Sequence, residues 1–193
     1  MKTSNVAILL ILIVFVVICV IYFDSQNRNR YFDEVLPYIS KGNTVLDFGG
    51  GNCELIQFLK QRNEVTSIDI YKGCEETHVY DGFKIPYPDK SFDIVFCMFV
   101  LHHIPHYKKM LEEIKRVCKK RIIIIEDDPN TNYQILISKL HYLYFHQSMN
   151  SIKYMNSPEA WCKLLDGCIT KKLKSRSIIN PTPHYIIIKN MYF

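Results

Sequence analysis

The chain opens with one continuous apolar stretch, and only afterwards do polar and apolar positions alternate. Residues 6–23 contain no charge, glycine or proline. As a helix, this stretch would measure roughly 27 Å, close to the ~30 Å hydrocarbon core of a bilayer. It has neither the small-residue cleavage site of a signal peptide nor the turn residues that a buried strand would need. We therefore expect residues 1–26 to form a single membrane-spanning anchor.

From residue 27 onward, short β-rich segments alternate with segments of helical periodicity. This alternation indicates a mostly parallel sheet with crossover helices, formed by one domain over residues 27–193. The predicted strands cover 44–48, 65–70, 77–80, 92–97, 121–126, 168–178 and 184–189. The predicted helices cover 30–40, 54–62, 107–119, 132–147 and 157–166.

Acidic residues stand at the ends of four predicted strands: Asp47, Asp69, Asp81 and Glu126. In an open parallel sheet, ligands bind beyond the carboxyl ends of the strands. The pattern therefore predicts a ligand site at this edge of the sheet.

A glycine turn, Gly49-Gly50-Gly51, follows the first predicted strand and lets backbone approach a ligand closely. A dinucleotide-binding turn would have a third glycine where this chain has Glu54, and a carboxylate there would repel a pyrophosphate. We therefore expect a ligand without phosphates. Asp69 suits two ribose hydroxyls, and Asp81 with Gly82 suits an adenine ring.

With these motifs, the chain resembles the class I S-adenosylmethionine-dependent methyltransferases, in particular their ubiquinone/menaquinone-like branch. The resemblance covers roughly residues 30–189 and is carried by segments 45–51, 65–69, 81–82, 85–95, 100–104 and 111–117. It implies a Rossmann-like methyltransferase fold, with a mostly parallel seven-stranded sheet and helices on both faces. It also implies S-adenosylmethionine as the methyl donor.

The resemblance assigns a donor-binding set. Asp47, Gly49 and Gly51 would surround the methionine part, and Cys97 would lie near the sulfonium. Asp69 would hold the ribose, Asp81 and Gly82 the adenine, and Gly50 and Ile70 complete the set. The chain departs from the family where Cys53 replaces a usual third glycine. Lys119-Lys120-Arg121 also replaces a usual Pro-Gly-Gly turn.

Methyl transfer depends mainly on alignment, with a general base only where the acceptor must lose a proton. His102 and His103 are the candidate bases, and the alternative is that they cap and pack the next helix. Glu126 is a candidate for orienting or deprotonating the acceptor, and the alternative is a solvated capping cluster. The spacing of the histidines matches no metal site, so we expect none.

The composition refines this picture only slightly. A net charge of +5 is modest and is not by itself a nucleic-acid signature, so we expect no nucleic-acid partner without excluding one. The seven cysteines are odd in number and lack CxxC spacing, which favours reduced thiols over a disulfide framework. Because the donor pool is cytosolic, we expect the domain to face the cytosol from its membrane.

The sequence leaves the methyl acceptor open. Aromatic residues between 132 and 166 suggest a roof over an apolar or planar acceptor, and ordinary core packing explains them equally well. The leading interpretation is methylation of a small, lipid-like molecule at a membrane. The alternatives are an RNA or protein methyltransferase and an inactive donor-binding membrane scaffold.

Overall fold

The structure, a computed structural model, describes residues 8, 11–16, 18–19, 22, 30–128, 136, 154–173 and 184–191. Within these residues, no helix is both long and apolar enough to span a bilayer. The anchor predicted in residues 6–23 lies partly outside the described residues. The helix predicted at 132–147 lies almost wholly outside them.

Seven strands form one sheet in the order β3-β2-β1-β4-β5-β7-β6. The strands are β1 (Thr44–Phe48), β2 (Glu64–Asp69), β3 (Thr77–Val79), β4 (Phe92–Met98), β5 (Cys118–Asp127), β6 (Ile169–Leu173) and β7 (His184–Asn190). β1 to β5 are parallel, and β7 runs antiparallel to both β5 and β6. The predicted mostly parallel seven-stranded sheet is therefore confirmed.

Three described helices and one helical segment cover the sheet. The helices are α1 (Glu54–Leu59), α2 (Tyr107–Val117) and α3 (Pro158–Leu164), and residues 30–35 are also helical. Alternating strand residues fill two cores, because successive side chains of a strand point to opposite faces. Leu46 of β1 belongs to the core under α2 and α3, while Val45 belongs to the core under α1 and residues 30–35. The prediction of helices on both faces is thus confirmed.

The prediction of reduced thiols is wrong for four of the seven cysteines. Disulfides join Cys53 to Cys74 and Cys162 to Cys168. The first pair is 21 residues apart in sequence, with Cα atoms 6.2 Å apart. The β1–α1–β2 crossover brings these residues together, and that proximity is invisible in sequence spacing.

Candidate active site

The parallel strands end at one edge of the sheet. Phe48 of β1 pairs with Ile68 of β2 on one side and with Cys97 of β4 on the other. The segments that follow these strands therefore emerge side by side, and the predicted ligand site has its scaffold at this edge.

The glycine turn after β1 is held against β2. The amides of Gly49 and Gly50 both donate to the carbonyl of Ile68, at 2.8 Å and 3.2 Å. Gly49 has a φ of +73°, and a Cβ there would collide with the side chain of Val100. Glycine is required at this position because both the left-handed backbone and the close approach exclude a side chain.

Asp69, the last residue of β2, faces the glycine turn. Its Oδ2 accepts a hydrogen bond of 3.1 Å from the amide of Gly51, and its Oδ1 accepts one of 3.1 Å from the amide of Tyr71. Each carboxylate oxygen has a second acceptor position. Asp69 is thus fixed in place with acceptor capacity remaining for two hydroxyl groups.

Asp81 lies in the loop that follows β3, two residues after Val79, and it is exposed. Its Oδ1 accepts hydrogen bonds from the amides of Phe83 at 2.8 Å and Lys84 at 3.2 Å. These two amides hold the pKa of Asp81 below its ordinary value. The carboxylate therefore shapes its own loop and remains charged.

A cleft of about 690 Å³ lies beside the glycine turn. Six predicted site residues line it, namely Gly49, Asp69, Ile70, Asp81, Gly82 and His103. The expected convergence of Asp69 and Asp81 beside Gly49 is therefore present. The volume of the cleft falls within the range of roughly 300–1,000 Å³ found for small-molecule sites.

Asp47 lies behind the glycine turn, outside the cleft lining. It is buried, and its Oδ2 has no hydrogen-bond partner among the described residues. Burial raises the pKa of Asp47 to about 7, and the negative charges of Asp69 and Glu54 add to the rise. A Cβ on Gly50 would lie 2.6 Å from this oxygen, so the turn passes directly over it. Asp47 thus supports the turn from behind, and its predicted place around the methionine part stays a prediction.

Gly50, Gly51 and Cys97 also lie outside the cleft lining. Cys97 is fully buried in the core under α2 and α3. Burial, reinforced by the charge of Glu126, raises the pKa of its thiol well above the ordinary value. A thiol in this position contributes packing at the end of β4, and its predicted place beside a sulfonium stays a prediction.

The candidate histidines differ sharply in environment. His102 is 3% exposed, and its Nδ1 pairs with Oε2 of Glu126, which is 2% exposed. Oε1 of Glu126 accepts a hydrogen bond of 2.9 Å from the amide of Leu101. Burial lowers the pKa of His102, but the charge and hydrogen bond of Glu126 raise it by more. The pKa of His102 is therefore above its ordinary value. This pair fastens the turn after β4 to β5, and the burial of Glu126 contradicts the alternative of a solvated capping cluster.

His103, in contrast, is exposed and lines the cleft. Its ring centroid lies 4.1 Å from that of His102. Of the three candidate catalytic residues, His103 is the one that the fold presents to a ligand.

Sequence reasoning missed several aromatic residues of the lining. Phe83 stacks on His106 with centroids 5.1 Å apart and planes at 10°. Phe99 lines the cleft with a φ of +53° and donates a hydrogen bond of 2.9 Å to the carbonyl of Ile125. Tyr80, directly after β3, also lines it. The signal available in the sequence was that Phe83 directly follows the predicted Asp81-Gly82 pair.

The family model for the methyltransferase domain matches residues 23–167. This chain belongs to the S-adenosylmethionine-dependent methyltransferases. The matched region includes the glycine turn, both aspartates of the cleft and the His102–Glu126 pair.

Curated relatives share parts of the chain. A demethylmenaquinone methyltransferase of Bacillus licheniformis is 25% identical over 143 residues, which are 65% of this chain and 62% of the relative. An uncharacterized methyltransferase of Bacillus subtilis is 32% identical over 100 residues, 42% of this chain and 40% of that protein. The chain thus spans about two fifths to three fifths of the length of these relatives.

Solved structures share the fold. A methyltransferase from Archaeoglobus fulgidus has a TM-score of 0.67 at 19% identity, covering 86% of this chain and 94% of that one. One from Aquifex aeolicus has a TM-score of 0.55 at 20% identity, covering 81% and 88%. These similarities bear out the Rossmann-like methyltransferase fold.

Proposed function

We propose that this chain transfers a methyl group from S-adenosylmethionine to a small apolar acceptor at a membrane surface. The observation that carries the proposal is the cleft in which Asp69 and Asp81 converge beside Gly49. The carboxylates of such a cleft can accept hydrogen bonds from hydroxyl and amino groups. The glycine turn has no side chains, so a ligand can approach its backbone closely.

The residues present suit the parts of the donor. The remaining acceptor positions of Asp69 suit two ribose hydroxyls, and the loop of Asp81 and Gly82 suits an adenine ring. Asp47 lies beneath the glycine turn with its Oδ2 buried, so in this proposal it supports the turn that faces the methionine part. Bound S-adenosylmethionine supplies an activated methyl group on a sulfonium, so the chain itself must mainly bind, align and exclude water.

His103 is the proposed general base for an acceptor that must lose a proton. It lines the cleft and is exposed, whereas His102 and Glu126 are engaged with each other. A base must reach its proton directly or through one water, and His103 meets that condition for a molecule in the cleft.

The apolar part of the cleft lining favours an apolar acceptor. It comprises Phe99, Val100, Ile104 and Pro105. Relatives with partial coverage carry names that specify such acceptors, among them the demethylmenaquinone methyltransferase of Bacillus licheniformis. A phosphatidylethanolamine N-methyltransferase of Cereibacter sphaeroides is 26% identical over 97 residues, 42% of this chain and 48% of that protein.

Residues 6–23 support the membrane part of the proposal by their sequence. Among the described residues of this stretch, Ile11 and Phe15 are more than half exposed. Apolar side chains of this kind are costly to leave in water. We propose that they anchor the chain, with the catalytic domain on the cytosolic side where the donor is made.

Label transfer tests the function. The full chain is incubated with methyl-labelled S-adenosylmethionine and, separately, a ring-demethylated quinol, phosphatidylethanolamine vesicles, RNA and a protein extract. We expect label in a lipid-soluble product and none with Asp69→Ala. Label in RNA or protein would replace the proposed acceptor class, and donor binding without any label would indicate a scaffold.

A further inference from the structure

The disulfide between Cys53 and Cys74 joins the two segments that border the cleft on the Asp69 side. Cys53 stands two residues after Gly51 and directly before α1. Cys74 lies in the loop 70–76, which connects β2 to β3. The bond therefore ties the glycine turn to the loop that carries Ile70 and Tyr71, both of which line the cleft.

The two segments also touch through their backbones. A Cβ on Gly73 would collide with the carbonyl of Gly51, so the loop rests directly on the glycine turn. The carboxylate of Asp69 lies between them and accepts amide hydrogen bonds from Gly51 and Tyr71. A shift of the loop would thus displace the glycine turn, Asp69 and the cleft wall together.

The loop has little packing to hold it once the disulfide opens. Ile70 is 50% exposed and Tyr71 is 76% exposed. Hydrogen bonds of the loop are local, from the amide of Tyr71 to Asp69 and from the amide of Cys74 to Oγ1 of Thr77 at 3.2 Å. Segments with few buried apolar contacts open at low free energy.

The bond is open to exchange on one side. Cys53 is 1% exposed, whereas Cys74 is partly exposed, so of the two residues Cys74 is the more accessible to an external thiolate. A dithiol attacks the sulfur of Cys74, forms a mixed disulfide and releases Cys53. Its second thiol then closes a cyclic disulfide and releases Cys74, so two cysteine thiols form as the dithiol is oxidised.

Metal binding is the competing interpretation of this cluster. The sulfurs of Cys53 and Cys74 and a carboxylate oxygen of Glu76 lie within 4.8 Å of one another. A structural zinc site takes four ligands, and here two of the three donors are joined covalently. The disulfide therefore accounts better for the arrangement.

We propose that Cys53–Cys74 is a thiol–disulfide exchange site that sets the affinity of the cleft for the methyl donor. The oxidised chain holds the loop 70–76 against the glycine turn and binds tightly, and the reduced chain binds weakly. This inference rests on the proposed function, in that the cleft is the donor site. A cellular dithiol of the thioredoxin class is the kind of reductant that the exchange requires.

Calorimetry with S-adenosylhomocysteine tests the proposal on the full chain, oxidised and after dithiothreitol, with alkylation and mass spectrometry to count free thiols. If the reduced loop occupies the binding conformation about a tenth of the time, affinity falls about tenfold on reduction.

Two single variants lack the disulfide. Cys53→Gly and Cys74→Ser should each bind the ligand as weakly as the reduced chain, and dithiothreitol should not change their affinity. Cys53→Gly introduces no backbone strain, because Cys53 has a φ of 60° and glycine adopts this left-handed conformation freely. The control Cys162→Ser/Cys168→Ser should keep the full response.

Equal affinities of the oxidised and reduced chains, with reduction verified by alkylation, would overturn the exchange site and leave the donor cleft intact. Free Cys53 and Cys74 thiols holding stoichiometric zinc in the untreated chain would replace it with a metal site. Absence of binding in both redox states would refute the donor cleft, and the exchange site with it.

Discussion

The backbone amide of Gly51 donates a hydrogen bond of 3.1 Å to Oδ2 of Asp69. This contact joins the turn after β1 to the last residue of β2. The same carboxylate also accepts from Tyr71, so it organises two walls of the cleft before any ligand binds. Preorganisation of this kind lowers the ordering cost of binding.

Replacing Gly49 by alanine should destabilise the fold more than replacing Gly42. Both glycines have positive φ, but a Cβ at Gly49 collides with Val100, whereas nothing lies within 4 Å of a Cβ at Gly42. Backbone strain should cost each variant about 1–2 kcal/mol, and overpacking should add about 1–3 kcal/mol for Gly49→Ala. Urea unfolding measures both changes, and equal losses would show that Val100 does not restrict this turn.

Asp47→Asn should change how stability depends on pH. Burial raises the pKa of Asp47 from 3.8 to about 7, so the folded state holds its proton more tightly than the unfolded state. The contribution of Asp47 is therefore greatest below pH 3.8 and is lost as pH rises towards 7. The variant should gain stability relative to wild type over that interval, as measured by unfolding free energies at several pH values.

Asp93→Asn is the matched control of opposite sign. Burial alone would raise the pKa of Asp93, but hydrogen bonds from Lys120, the amide of Thr44 and Asn43 lower it overall. Its contribution is present above its ordinary pKa and is lost on acidification, so this variant should lose stability at neutral pH. The same trend in both variants would contradict the assignment for Asp47.

His102→Ala should destabilise the chain, whereas His103→Ala should not. Removing His102 leaves the charge of Glu126 buried without its partner, which typically costs about 3–5 kcal/mol. The exposed His103 should cost less than about 0.5 kcal/mol. Because the pKa of His102 is raised on folding, its contribution is fully present below the ordinary pKa and is lost as pH rises through the folded value. Chemical denaturation at two pH values compares the variants, and a stable His102→Ala would exclude a structural role for the pair.

Two lysines placed in the apolar stretch should release the chain from membranes. Each lysine at the centre of a spanning helix costs about 2.5–3.5 kcal/mol, so Ile13→Lys/Val16→Lys should shift the protein out of the floating fraction in a liposome flotation assay. Ile169→Lys is the control, since Ile169 is 59% exposed and belongs to β6, not to residues 6–23. Unchanged flotation of the double variant would argue against the anchor.

Local sequence patterns predicted all seven strands at or near their observed positions, although β5 begins at Cys118 and replaces the end of the helix predicted to reach 119. β1 has the predicted bounds, and the alternation of Val45 and Leu46 between two cores follows from strand geometry. The position of Asp69 and Asp81 in one cleft also followed from strand order. These features depend on residues close in sequence or on a shared edge of the sheet.

Features that depend on tertiary register were missed. The pairing of His102 with Glu126 joins residues 24 apart and requires the alignment of β4 with β5. The Cys53–Cys74 disulfide requires the crossover between β1 and β2. The full burial of Cys97 in the core under α2 and α3 likewise depends on how β4 packs against those helices.

Calorimetric titration of the oxidised full chain with S-adenosylhomocysteine tests the central claim most directly. Asp69 is the proposed acceptor for two ribose hydroxyls, and the loss of these hydrogen bonds in Asp69→Ala should cost about 3 kcal/mol, or about 100-fold in affinity. His103→Ala should bind within about threefold of wild type, because the proposed function assigns His103 to the acceptor and not to the donor. If Asp69→Ala binds as tightly as the wild-type chain, the cleft beside Gly49 is not the donor site.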